Sequence, residues 1–119
     1  MAKILLVDEE ERILQYYMEE LSAEGHHVVA VASGDKLLKI DIHRPEVVVL
    51  DIRLVEWDGL ELLNDIRNRH YDLPVILCTA YDTYKEDPKS MAADYYVVKS
   101  FDLSELKTTI KRALDAHVS

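Results

Sequence analysis

Punctuating residues are scarce in this 119-residue chain, which has three glycines (Gly25, Gly34, Gly59), three prolines (Pro45, Pro74, Pro88) and one cysteine. No stretch therefore reads as a flexible linker, and there is no internal repeat or low-complexity tract. The lone Cys78 excludes an internal disulfide and a cysteine-based zinc site. It fits a reducing compartment and is expected as a small buried apolar residue. Basic residues are also few, 14 Lys plus Arg against 23 Asp plus Glu, for a net charge of −9. That balance argues against binding nucleic acid through its phosphates, or docking on anionic lipid. The apolar run near the N-terminus, Ile4–Val7, is too short for a signal peptide's apolar region or a membrane span. A soluble, cytoplasmic domain without membrane contact is expected. What the chain does have is 49% apolar residues, enough for a core, in a length that suits one domain over residues 1–119.

Short apolar runs recur: Ile4–Val7, Val28–Val31, Val47–Leu50, Val75–Leu77 and Tyr95–Val98. They are β-branched or apolar nearly throughout, as strands covered on both faces must be. Helical patterns lie between them. Leu14, Met18 and Leu21, widened by Tyr17, form a stripe that ends at Gly25. Leu37, Leu38 and Ile42 precede Pro45. Leu60, Leu63 and Ile66 follow Asp58-Gly59-Leu60-Glu61, and Leu103, Leu106, Ile110 and Leu114 follow Asp102-Leu103-Ser104-Glu105. Both four-residue segments carry an acid-x-x-Glu helix-start signature. The stretch from Tyr81 to Ala93 is polar and holds Pro88, so a short helix opening near that proline is expected. The alternation is (βα)5, an α/β pattern that implies a parallel sheet with helices on both faces.

In open sheets of this kind, sites form at the carboxyl ends of the strands. Those ends carry Asp8-Glu9, Asp51, Thr79 and Lys99, whereas the second strand ends in Ala32-Ser33 and offers little. Crowded carboxylates repel unless a cation joins them, and hard oxygen donors with open positions suit Mg²⁺. With metal and Lys99 present, a phosphoryl group transferring onto a carboxylate oxygen can be stabilised, and the Thr79 hydroxyl can donate to it. The set reads as a carboxylate that accepts phosphate. Glu10 and Glu11 serve the first turn of a helix. The five histidines are scattered and carry no assigned chemistry.

The segments Leu5-Leu6-Val7-Asp8-Glu9-Glu10, Val48-Val49-Leu50-Asp51-Ile52-Arg53-Leu54, Trp57-Asp58-Gly59-Leu60-Glu61-Leu62, Thr79-Ala80 and Tyr96-Val97-Val98-Lys99 occur in this order. Together they resemble the receiver domain of two-component response regulators, over essentially the whole chain. The resemblance implies a doubly wound, flavodoxin-like five-stranded sheet in the order 2-1-3-4-5. It implies Asp51 as phosphoacceptor, taking its phosphoryl group from a phosphohistidine on a histidine kinase or a histidine phosphotransfer protein. Asp8, Glu9, Asp51 and the backbone carbonyl of Arg53 would hold Mg²⁺, while Thr79 and Lys99 would contact the phosphoryl oxygens. Tyr96 would follow Thr79 as the switch aromatic. The domain would be regulatory rather than an enzyme, taking part only in its own phosphorylation and dephosphorylation.

The chain departs from the family pattern in three places. Ser100 follows Lys99 where proline is usual with a cis bond; a cis bond before a non-proline residue costs roughly 2.5–4 kcal/mol, so a trans bond is expected. Val55 replaces a proline in the loop after Asp51. The Thr79-to-Lys99 interval is short, so the fourth helix is expected to be abbreviated, and neither the usual output face nor a homodimer is assumed. Arg53 and Tyr81, two residues beyond Asp51 and Thr79, are expected to overhang the phosphate and slow its hydrolysis. A phosphatase of the haloacid-dehalogenase type needs a second aspartate where Arg53 stands. An FMN carrier needs a Ser/Thr/Gly-rich phosphate loop where Asp8-Glu9-Glu10-Glu11 stands. The remaining alternative is a receiver-fold interaction module not regulated by phosphorylation. The chain ends at Ser119, soon after the last helical pattern, either as a stand-alone regulator or as the head of a longer protein.

Overall fold

The computed structural model describes residues 2–32, 35–51, 59–80 and 92–118. Five strands, β1 (Lys3–Val7), β2 (His27–Val31), β3 (Val47–Leu50), β4 (Val75–Thr79) and β5 (Tyr95–Val98), form one sheet in the order β2-β1-β3-β4-β5. All four pairings are parallel. Four helices are described: α1 (Glu11–Ala23), α2 (Lys36–His43), α3 (Gly59–Arg69) and α4 (Ser104–Val118). The expected short helix near Pro88 falls in 81–91, outside the described residues, as does Val55.

The two faces of the sheet follow from the period-2 alternation of strand side chains. Ile4, Leu6, Val49, Ile76, Cys78 and Val97 pack with Leu14, Tyr17 and Leu21 of α1 and Leu106, Ile110 and Ala113 of α4. Leu5, Val7, Val48, Leu50, Val75 and Leu77 point the other way, onto Ile40 of α2 and Leu60, Leu62, Leu63 and Ile66 of α3. Both faces are covered, which is why β1, β3 and β4 read as unbroken apolar runs. The expected stripes of α1, α3 and α4 are buried or packed against these clusters.

Helix α2 departs from its expected stripe. Lys36 and Ile40 face inward at 0% and 1% exposure, while Leu38 and Ile42 are 51% and 61% exposed. The helix starts where Asp35 caps it, its carboxylate accepting the Leu38 N–H at 3.0 Å, and the 36/40 pair then meets the sheet. The apolar letters of so short a helix do not set its phase. The Lys36 Nζ has no hydrogen-bond partner among the described residues.

At the C-terminal edge of the sheet, Asp102 accepts the Ser104 N–H at 2.9 Å and its hydroxyl at 2.6 Å, opening α4. The side-chain bond first, and the backbone bond second, hold the Asp102 carboxyl below its ordinary value. Below α3, Arg67 donates to the carbonyls of Ala92, Tyr71 and Leu73 and pairs with Asp94 at 2.5 Å. Asp94 in turn accepts the Val75 N–H, so one guanidinium ties the end of α3 to the starts of β4 and β5.

Candidate phosphoryl-acceptor site

The order β2-β1-β3 means that the chain leaves β1 in one direction and returns to begin β3 on its other side. The crevice between the carboxyl ends of β1 and β3 is the switch point where such sheets place ligands. Asp8 and Asp51 are the first residues past those two strand ends. Backbone bonds carry the ladder one step beyond the strands: Asp8 N–H to the Val31 carbonyl at 3.2 Å, Asp51 N–H to Val7 at 2.9 Å, and Lys99 N–H to Thr79 at 2.7 Å. The ladder therefore sets the depth of each site residue.

Asp8 and Asp51 are buried, at 6% and 7% exposure. The Lys99 ammonium lies between them, its Nζ donating to Asp8 Oδ2 at 2.5 Å and to Asp51 Oδ2 at 3.1 Å. Burial alone would lower the Lys99 pKa, but the Asp8 hydrogen bond and the charges of Asp51 and Asp8 outweigh it, and the net shift is upward. The other Asp8 oxygen accepts the Glu10 N–H at 2.9 Å, turning the chain into α1. Removing Lys99 would leave two buried carboxylates facing each other without a counter-ion, whereas removing either aspartate would leave a neutral pair.

Thr79 closes the other side. It is fully buried, and its hydroxyl finds no hydrogen-bond partner among the described residues. A buried donor without a partner costs about 1–3 kcal/mol, and this one lies at the carboxyl edge of the sheet, on the residue whose carbonyl holds the Lys99 N–H. Cys78, one residue earlier, is buried as expected, and burial pushes its thiol up to about 12.

The structure thus joins Asp8, Asp51 and Lys99 directly and sets Thr79 beside Lys99 on the ladder. Glu9 follows Asp8 and is half-buried. Among the described residues no group of three or more His, Cys, Asp or Glu side chains gathers as a metal cage. Two converging carboxylates nevertheless fit Mg²⁺, which takes one or two carboxylates and fills the rest of its octahedron with other oxygens. Tyr96 on β5 is half-buried against the α2–α3 core cluster. Arg53 and Tyr81 lie outside the described residues. The Lys99–Ser100 bond is trans, as expected: no cis peptide occurs among the described residues.

Periodicity missed Tyr16, 38% exposed on α1, whose hydroxyl donates to the Phe101 carbonyl at 2.7 Å across 85 residues. Nothing local in the sequence signals that contact. Tyr17 beside it is buried, and burial first, then the nearby Cys78, push its phenol well above the ordinary range.

A parallel 2-1-3-4-5 sheet with two carboxylates and a lysine at its switch point defines a receiver-type α/β domain. The family model of the response regulator receiver domain matches residues 4–111, and the chain belongs to that family. It is 38% identical over 117 residues to the regulatory protein AtoC of Escherichia coli, covering 94% of this chain and 25% of AtoC. It is 34% identical to the heme response regulator HssR of Staphylococcus aureus, covering 96% and 52%. The chain thus spans a quarter to a half of the curated relatives it matches. Among solved structures, the response regulator TrrA of Thermotoga maritima bound to Mg²⁺ and BeF is 41% identical, with a TM-score of 0.91 over 96% of this chain and 100% of that one. TrrA in complex with the histidine kinase ThkA superposes with a TM-score of 0.89 at 41% identity, covering 96% and 99%. A CheY-like receiver domain from Methanospirillum hungatei, at 29% identity, gives 0.91 over 98% and 96%. As a receiver, the domain is regulatory. No helix among the described residues is long and apolar enough to cross a membrane.

Proposed function

We propose that Asp51 accepts a phosphoryl group from the phosphohistidine of a histidine kinase or phosphotransfer protein, and that the domain changes conformation in response. The reading is carried by the Lys99 ammonium held between Asp8 and Asp51, beside the unpartnered hydroxyl of Thr79. In the transfer, an Asp51 carboxylate oxygen forms a bond to phosphorus while the phosphorus–nitrogen bond to the donor imidazole breaks. The product is an aspartyl phosphate, and the imidazole leaves with the electron pair. Lys99 then moves its hydrogen bond from a carboxylate oxygen to a phosphoryl oxygen, and the Thr79 hydroxyl donates to another.

Asp8, Glu9, Asp51 and the Arg53 carbonyl are the residues that would hold Mg²⁺. The metal supplies charge stabilisation for the phosphoryl oxygens when bound. Thr79 drawn toward the phosphate, with Tyr96 moving after it, is the proposed switch. The domain would also take part in its own dephosphorylation, with Arg53 and Tyr81 obstructing the in-line water and prolonging the phosphorylated state. The TrrA complexes with Mg²⁺ and BeF and with ThkA support both the cofactor and the class of partner. A cytoplasmic location follows from such a partner. The net charge of −9 gives no support for direct nucleic-acid binding by this domain.

The test is incubation with Mg²⁺ and acetyl phosphate or phosphoramidate, followed by mass measurement. One added phosphoryl group, lost in Asp51→Asn and decaying slowly, is the expected result. The fluorescence of Trp57, the single tryptophan, should change with it. No adduct would favour the alternative, a receiver-fold interaction module not regulated by phosphorylation.

A further inference from the structure

The segment after Lys99 is held by few contacts: the Ser100 backbone meets the Tyr17 hydroxyl, and the Ser100 hydroxyl accepts the Asp102 N–H at 3.1 Å. Ser100 and Asp102 are exposed and Phe101 is 94% exposed. No proline restricts its backbone, and beneath it lies a cavity of about 280 Å³ that Tyr17, Cys78, Ser100 and Leu103 help to line. Apolar packing therefore contributes little to locating this segment, and hydrogen bonds must do so. Yet the residue just before it must keep its ammonium between two carboxylates 48 and 91 residues away in sequence.

Two bonds bracket that residue. On the strand side, the Lys99 N–H is held by the Thr79 carbonyl at 2.7 Å. On the loop side, the Phe101 carbonyl accepts the Tyr16 hydroxyl at 2.7 Å. The Tyr16 ring is itself set edge-on against the buried Tyr17, with centroids 6.0 Å apart and planes at 62°. Helix α1, which supplies both tyrosines, starts directly after the turn in which Asp8 accepts the Glu10 N–H. One rigid element thus carries the acidic corner of the site at its start and grips the lysine-bearing loop one and a half turns later. Lys107 of α4 also reaches Glu20 of α1 at 3.2 Å, so the far end of the same loop is referenced to the same helix.

We propose that Tyr16 is a positioning residue for Lys99: by holding the Phe101 carbonyl, its hydroxyl fixes the loop and keeps the ammonium registered on Asp8 and Asp51. The inference rests on the reading of Asp51 as phosphoacceptor for its effect on phosphorylation, but not for its effect on the loop. Tyr16→Phe removes only the hydroxyl of a half-exposed ring, so the fold should survive.

The experiment is a double-mutant cycle of Tyr16→Phe with Lys99→Met, reading the rate of Asp51 phosphorylation by acetyl phosphate with Mg²⁺. Amide hydrogen exchange on the unphosphorylated proteins accompanies it. Loss of one hydrogen bond should slow phosphorylation roughly threefold to tenfold when Lys99 is present. It should change the rate by less than about twofold when Lys99 is absent. Equal effects in the two backgrounds, or none in the first, would overturn the proposal, because a merely structural role does not depend on the lysine. Exchange at Lys99 to Phe101 should rise several-fold in Tyr16→Phe, with α2 and α3 unchanged; unchanged exchange at 99–101 would overturn it as well. If neither background takes up a phosphoryl group, the reading of Asp51 fails, and the exchange result alone decides the tether.

Discussion

Thr79 is a residue of the site whose local energetics conflict with stability. Its hydroxyl is buried without a partner at the end of β4, where valine would pack without that penalty. Thr79→Val should therefore raise the urea midpoint by the equivalent of about 1 kcal/mol while slowing uptake of phosphate from acetyl phosphate. A stability cost kept at one position, with a binding benefit at the same position, separates a ligand-facing hydroxyl from an ordinary strand residue. Lys99 behaves differently because it is already paired. Its pKa is raised, so the stabilisation from its ion pairs is fully present below the ordinary lysine value of 10.5 and is lost as pH climbs through the raised one. The destabilisation caused by Lys99→Met, measured by denaturant titration, should accordingly shrink above pH 10.5 and be undiminished at neutral pH.

Among the elements, α2 is the one whose own residues disagree with its placement. It buries Lys36, whose ammonium has no hydrogen-bond partner among the described residues, and leaves Leu38 and Ile42 in solvent while Leu37 and Ile40 pack on the core. Lys36→Met keeps the length of the side chain and removes the charge, and should stabilise the domain by about 1–3 kcal/mol in thermal or urea unfolding. A loss of stability would mean that the ammonium contributes favourably where it lies. The other three helices show the opposite consistency, with apolar stripes inward and, for α4, a cap at Asp102 that takes both the Ser104 N–H and its hydroxyl.

At the scale of the molecule, the sheet has two edges of different use. Its carboxyl edge gathers the charged site, whereas the opposite edge is tied by Arg67, whose guanidinium links the end of α3 to Ala92, Leu73 and Asp94. A five-stranded sheet anchored below and covered on both faces can hold its upper loops at fixed separation, which lets buried like charges sit beside each other. The net charge of −9 is partly explained by this division: Asp8 and Asp51 face one another across a single lysine, and most of the other acids among the described residues are exposed.

Much of this is legible in the amino-acid sequence. The apolar runs of β1, β3 and β5 lie within a residue of their observed bounds, and the identities at four strand ends named Asp8, Asp51, Thr79 and Lys99. Periodicity, capping and strand-end chemistry act over a few neighbouring residues, so sequence alone carries them. Tertiary structure decided the rest. The sharing of Lys99 between Asp8 and Asp51, the phase of α2 that buries Lys36, the isolation of the Thr79 hydroxyl and the grip of Tyr16 on Phe101 all depend on side chains from distant segments. Such contacts are set by sheet register and by which helix covers which face, and no local pattern encodes either.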